Sequence, residues 1–279
     1  MTDRPLVSPD ALAARLGTPD LRLVDASWHL PATGRHAAAE FAAAHVPGAV
    51  FFDIDAQAAP GDLPHMLPGA AAFAGAVGAL GITGRDDIVV YDATGLFSAA
   101  RVRWMFRLYG ARRVTILDGG LPAWLAAGYP VESGAGAIAP ARFVASEPPT
   151  GAVATADDVL AAASGGTVRV LDARSRGRFS GEEPEARPGL RGGHVPGSVS
   201  LPFTALLEDG RLKSDAELRA VLAAHDVPLD GPVITTCGSG VTAAVISLAL
   251  ECLGARDVAL YDGSWSEWGG RAELPVERG

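Results

Sequence analysis

Short runs of β-branched and aliphatic residues alternate along this chain with longer stretches whose apolar positions recur at helical spacing. In the second half, Val168 to Leu171, Val233 to Thr236 and Val258 to Tyr261 read as strands. Asp215 to His225 and Thr242 to Leu253 read as helices, the first opening on acidic residues that complement a helix N-terminus. The strands are brief and apolar throughout, without the polar alternation of a sheet that has one wet face. Strands of this kind, separated by helices, predict a parallel sheet covered on both sides. The longest apolar run, Val245 to Leu250, falls inside the last of these helices and reads as buried.

The pattern occurs twice. Leu23-Val24-Asp25-Ala26 answers Val170-Leu171-Asp172-Ala173, and His45-Val46-Pro47-Gly48 answers His194-Val195-Pro196-Gly197. Gly110-Ala111-Arg112 answers Gly254-Ala255-Arg256, Asp118-Gly119 answers Asp262-Gly263, and Trp124 answers Trp268. The matches keep their order at offsets of 144 to 149 residues, as a duplicated domain with small insertions would. Between the halves, residues 132–154 are rich in Pro, Gly and Ala and lack periodicity, so they read as a linker. The expected organisation is therefore two α/β domains, 1–131 and 155–279, packed face to face.

Composition narrows the function classes. A formal net charge of -9 disfavours general binding to nucleic acid or an anionic membrane. No run of roughly 18 apolar residues is present, so no membrane span is expected. The start, Met1-Thr2-Asp3-Arg4-Pro5, leads into no long apolar stretch and does not read as a signal peptide. Cys237 and Cys252 are the two cysteines. They fall near opposite ends of one predicted helix, too far apart for a disulfide, and two cysteines are too few for a structural zinc site. Free thiols point to a reducing compartment, with the cytoplasm as the expectation.

In open α/β sheets, ligands bind beyond the carboxyl ends of the strands. Beyond Val233 to Thr236 comes Cys237-Gly238-Ser239-Gly240-Val241-Thr242-Ala243, which joins that strand to a helix N-terminus. Its glycines let successive backbone N–H groups turn inward, and the helix end adds positive potential. Such a cradle favours the anionic form of a cysteine at its base, and would equally hold an anionic persulfide. The bland alternative is a small buried cysteine that ends a strand. Against it, the matching turn in the first half begins Asp92-Ala93-Thr94-Gly95, so only one half carries a nucleophile. Cys252, amid apolar helix neighbours, reads as core. A cysteine phosphatase would need an arginine six residues after its cysteine, where this chain has Ala243.

The loop Cys-Gly-Ser-Gly-Val-Thr-Ala resembles that of the tandem-domain rhodanese family, and in particular of its members that use 3-mercaptopyruvate. Thiosulfate-using members usually carry basic residues where this chain has Gly238 and Ser239. The resemblance extends over nearly the whole chain, through Ala44 to Ala49, Phe51 to Asp55, His65 to Pro68, Leu117 to Trp124, Gly177 to Phe179 and Glu185 to Leu190. It implies two rhodanese-like domains, each a mainly parallel sheet flanked by helices, with the catalytic centre in the second. It further implies sulfur transfer through a Cys237 persulfide to a thiol such as thioredoxin or a small thiol, or to cyanide, without metal or organic cofactor. Arg178 and Arg187 would clamp the donor, and Gly238, Gly240, Val241 and Thr242 would complete its binding loop. Ser239, His65 and Asp55 would form a relay, with Asp53 as an alternative carboxylate. Thiosulfate as donor, and a noncatalytic binding or redox-sensing module, are the competing readings. His45 and His194 occupy matching places in both halves and read as structural. Trp265 and Trp268 read as core or pocket wall, and Asp118 and Asp262 as residues that hold their own turns.

Overall fold

The computed structural model describes residues 4–134, 136 and 138–279; the start of the chain, Met1 to Asp3, and two positions of the expected linker lie outside these. The first half runs β1 (Leu6–Val7), α1 (Pro9–Ala13), β2 (Leu21–Asp25), α2 (Ala37–Ala43), β3 (Ala49–Phe51), α3 (Ala70–Ala79), β4 (Asp87–Tyr91), α4 (Ala99–Leu108), β5 (Arg113–Leu117) and α5 (Gly120–Ala126). The second runs β6 (Val153–Ala154), α6 (Ala156–Gly165), β7 (Arg169–Asp172), α7 (Arg176–Ser180), β8 (Val199–Ser200), β9 (Leu207–Glu208), β10 (Arg211–Leu212), α8 (Asp215–Ala224), β11 (Val233–Thr236), α9 (Ala243–Cys252), β12 (Val258–Tyr261) and α10 (Ser264–Trp268).

The duplication is exact in topology. The first sheet has the order β1-β5-β4-β2-β3 and the second β6-β12-β11-β7-β8, every neighbouring pair parallel. Central strands β4 and β11 are buried almost throughout, as parallel strands covered on both faces must be. The paired histidines do the same job twice. His45 Nδ1 lies 2.8 Å from Phe41 O with its ring stacked on Phe41, and His194 Nδ1 lies 2.9 Å from Phe179 O with its ring stacked on Phe179.

The halves share one apolar core cluster, which runs from Phe73 and Phe106 through Val241 to Leu250. Across their boundary, Arg103 on α4 forks onto Glu251 on α9 at 2.7 and 2.8 Å. The antiparallel hairpin β9–β10 also crosses: Arg211 Nη1 donates to Asp118 O at 3.1 Å.

Two expectations need correction. The segment expected to be a plain linker packs along the first domain: Phe143 is buried against Phe73 and Phe106, and Ala141 N and Ser146 N donate to Gly78 O and Tyr109 O. Its last two residues, Val153 and Ala154, are the edge strand β6 of the second sheet. Phe143 is a single aromatic in a small-residue stretch, so no periodicity announced its burial. Secondly, Asp118 and Asp262 do not chiefly hold their own turns. Each reaches the opposite domain: Asp118 Oδ1 accepts from Leu212 N at 3.4 Å, and Asp262 Oδ2 from Leu67 N at 2.7 Å. A one-domain reading could not supply those partners.

Candidate active site

Strand β11 ends at Thr236, and Cys237 follows at the carboxyl edge of the sheet, 2% exposed. The loop then turns into α9 through Gly240, whose φ of +77° is open to glycine at little cost. Helix α10 pins the loop from below. Trp265 N donates to Cys237 O at 2.9 Å, and Ser266 N and Oγ donate to Gly238 O at 2.9 and 2.7 Å. With these carbonyls turned toward α10, the amides of Gly238 to Thr242 meet no acceptor among the described residues.

Cys237 opens into a cavity of about 280 Å³ between the domains. Cys237, Gly238, Ser239 and Thr242 line it on one side, and Trp28, Leu30, Phe97 and Phe203 form an apolar wall. Arg174, Arg178 and Arg187 supply the positive side. A larger hollow of about 500 Å³ beside Met66 and Tyr109 has no cysteine in its lining. Gly240 and Val241, which the sequence grouped with the binding loop, lie off the cavity; Val241 is buried in the core.

The arginines are held differently. Arg174 is fully buried, tied to Asp172 Oδ2 at 2.6 Å and Glu185 Oε1 at 2.5 Å, and its guanidinium stacks 4.1 Å from the Trp265 ring. Glu185 also takes Arg178 through Oε2, at 3.0 Å from Nε. Glu185 thus serves both Arg174 and Arg178. Arg178 is laid over the loop: a Cβ on Gly238 would lie 3.0 Å from its Nη2. Arg187 has no ion pair among the described residues. Burial pushes its guanidinium below the usual value, opposed by the nearby Cys237 and Asp55. None of its donors meets an acceptor among the described residues, so its hydrogen-bonding capacity is open to a ligand.

From the first domain comes His65, buried, with Nδ1 2.9 Å from Ser239 Oγ. Its other nitrogen lies 2.7 Å from Asp55 Oδ1, a short contact that is not aligned as a hydrogen bond. Trp28 Nε1 donates to Asp55 Oδ2 at 2.8 Å, and the indole meets the His65 ring edge-on at 4.7 Å. His65 holds the Asp55 carboxyl below its usual value of 3.8, against partial burial and with help from Trp28. Asp53 is occupied elsewhere: its Oδ1 accepts from Asp55 N and Ala56 N. The carboxylate beside the imidazole is Asp55. His65 has φ +59°, a left-handed conformation that costs a non-glycine residue about 1–3 kcal/mol and persists only where surroundings enforce it.

Trp28, Phe97 and Arg174 are site residues that the sequence reading does not single out. Trp28 and Arg174 follow β2 and β7 at the carboxyl edge, so strand ends carried a usable signal. Phe97 offered none.

The model of the rhodanese-like domain matches the chain twice, over residues 8–127 and 155–271. The chain belongs to the rhodanese-like family. Among its relatives is the 3-mercaptopyruvate sulfurtransferase of Escherichia coli K12, 45% identical over 97% of each chain. Another is the thiosulfate sulfurtransferase of Bos taurus, 45% identical over 93% of this chain and 88% of that one. The crystal structure of SseA from Escherichia coli superposes on this rhodanese-like protein with a TM-score of 0.88, at 41% identity, over 94% of this chain and 99% of that one. Equal identity to relatives named for different donors leaves donor choice to the site itself.

Proposed function

We propose that this sulfurtransferase takes sulfur from 3-mercaptopyruvate, carries it as a persulfide on Cys237 and passes it to a thiol. In this reading the domain from residue 155 onward is catalytic and the domain up to 131 is not. The observation that carries it is a single cysteine at the base of a loop of uncommitted amides, facing Arg178 and Arg187 across a small cavity. Amides and a helix N-terminus at that point stabilise an anionic sulfur, before and after transfer.

The Cys237 thiolate attacks the donor's sulfur, an S–S bond forms, and the C–S bond breaks. The electron pair leaves on carbon as the enolate of pyruvate, and a proton on that carbon completes the product. Arg187, with Arg178 beside it, holds the carboxylate and carbonyl oxygens and stabilises the enolate charge. Ser239, backed by His65 and Asp55, relays the proton. A second thiophile then attacks the outer sulfur of the persulfide and regenerates the thiolate: thioredoxin, a low-molecular-weight thiol or cyanide. This is covalent double displacement. The need for a reduced thiol favours a reducing compartment such as the cytoplasm. No helix is long and apolar enough to cross a membrane among the described residues.

The donor preference rests on charge. Gly238 and Ser239 add no cation, and Glu185 already offsets part of the arginine charge, so the cavity suits one carboxylate better than dianionic thiosulfate. Thiosulfate is the second reading, favoured by the 45% identity to the bovine enzyme. Pyruvate and sulfite release, measured with each donor and an added thiol, separates them. Faster turnover with mercaptopyruvate, absent in Cys237→Ser, is expected. A preference for thiosulfate would keep the persulfide and overturn the donor. Absence of both activities, with no sulfur added to Cys237 by mass, would leave a binding module.

A further inference from the structure

His65 belongs to the first domain, but the serine it meets belongs to the second, so the relay exists only while one loop is registered against the other. That loop is gripped along its backbone. Arg101 Nη2 donates to His65 O at 2.7 Å, Asp262 Oδ2 accepts from Leu67 N at 2.7 Å, and Tyr109 OH donates to Pro68 O. Arg101 and Asp262 also pair with each other across the domain boundary, Nη2 to Oδ1 at 2.5 Å, and both are buried, 0% and 4% exposed. The same guanidinium touches the cysteine loop: a Cβ on Gly240 would lie 3.1 Å from Nη1 and 3.2 Å from Asp262 O. One cation therefore bonds the His65 loop and the turn after β12 and lies beside the Cys237 loop, where it leaves little room for a side chain at Gly240. The remainder of it lies against the Trp104 ring, 4.7 Å from the centroid.

The duplication supplies an internal control. Helices α4 and α9 correspond at an offset of 144 residues, which sets Val245 in the place of Arg101. Asp118 repeats the reach of Asp262 across the boundary, to Leu212 N and toward Arg211. The reaching aspartate thus occurs in both halves, whereas the buried arginine occurs only where the opposite domain carries the cysteine. Scaffold needs alone would have called for it twice.

We propose that Arg101 and Asp262 are a positioning pair that sets the His65 imidazole against Ser239 across the domain boundary, and so governs the proton-transfer part of the reaction without touching the donor. Neither residue lines the cavity. The inference rests on the relay described under the proposed function. Removing the pair misplaces His65 and leaves the arginines that bind the donor where they are.

The test uses the full chain as Arg101→Met, Arg101→Lys and Asp262→Asn, each alone and combined with Ser239→Ala, with pyruvate release from mercaptopyruvate as the readout. Arg101→Met is expected to lower kcat about 10–100-fold with KM changed less than about threefold, since displacement of a reacting group by about 1 Å costs that much. Arg101→Lys should recover part of the loss. In the Ser239→Ala background the same substitutions should lower kcat less than about twofold, because the group they position no longer has a partner. Losses that multiply in the double variants, losses that fall on KM, or a wild-type kcat in Arg101→Met would each overturn the pair's role. Should Arg101→Met not fold, Asp262→Asn, of the same size, runs the same cycle. A wild-type protein that releases no pyruvate would sink the function proposed above; a wild type that does, with variants that fail the cycle, sinks only this inference.

Discussion

The loop after β4 and the loop after β11 are the same structural position in two copies of one domain, and they differ in what fills them. In the first, Asp92 turns its carboxylate back into the loop. Oδ1 accepts from Thr94 N and Oγ1 at 2.9 and 2.8 Å, and Oδ2 from Phe97 N and Ala99 N at 2.7 and 2.9 Å. The cradle is closed by the protein's own anion. In the second, Cys237 is shorter and carries no oxygen, and the loop amides are left uncommitted. The same fold makes a strut from an aspartate and a candidate nucleophile site from a cysteine. Each domain also extends a segment over the other's cradle. The first sends the His65 loop to Ser239, and the second sends its β9–β10 hairpin to Gly95, against which Gly210 packs so closely that a Cβ on Gly95 would lie 2.7 Å from Gly210 O. One crossing brings an imidazole and the other brings backbone.

The sharpest way to break this comparison is Cys237→Ser, expected to lower turnover by at least about 10⁴-fold, because a serine oxygen cannot form a persulfide. Residual turnover near wild type, or sulfur found elsewhere by mass spectrometry, would remove the asymmetry. Next in size is Asp92→Ala. It leaves three loop amides, that of Ala99 buried, without their charged acceptor and should destabilise the fold by about 3 kcal/mol in urea titration. A change under about 0.5 kcal/mol would mean that the carboxylate is not a strut. Arg187→Met should raise KM for mercaptopyruvate about tenfold, with a smaller effect on kcat, since it removes a carboxylate contact. An unchanged KM would take Arg187 out of donor binding.

The smallest effect tests the seam between the halves. Burial pushes the Glu251 carboxyl up, but the Arg103 fork wins and holds it below its usual value of 4.5. A depressed carboxyl stabilises the fold above its unfolded value and loses that contribution as pH falls through the folded one. The pair should therefore contribute fully above about pH 4.5 and fade below it. Glu251 is half exposed, so the contribution is about 0.5 kcal/mol or less. Stability curves of wild type and Glu251→Gln should converge as pH falls below 4.5; a constant gap would place the effect in packing.

Local features were legible because local sequence causes them. The predicted strands Val233 to Thr236 and Val258 to Tyr261 match β11 and β12, and the predicted helix Thr242 to Leu253 is α9 with its two caps. The repeat, the duplicated topology and the position of Cys237 beyond a strand end follow from the same periodicities. The cavity wall was less legible, because Trp28, Phe97 and Phe203 come from separate loops and share no spacing.

The sequence by itself therefore determined the elements, their order, the duplication and which half carries the cysteine. These depend on side-chain periodicity, loop glycines and residue identity within a few positions of one another. Tertiary structure decided what no window along the chain contains. It chose Asp55 over Asp53, gave Glu185 to Arg174 and Arg178, and drew Phe143 into the first core. It also turned Asp118 and Asp262 outward to the opposite domain. In each case the deciding partner is a buried polar or apolar group delivered by another loop, and burial is what makes the unmatched arrangement costly.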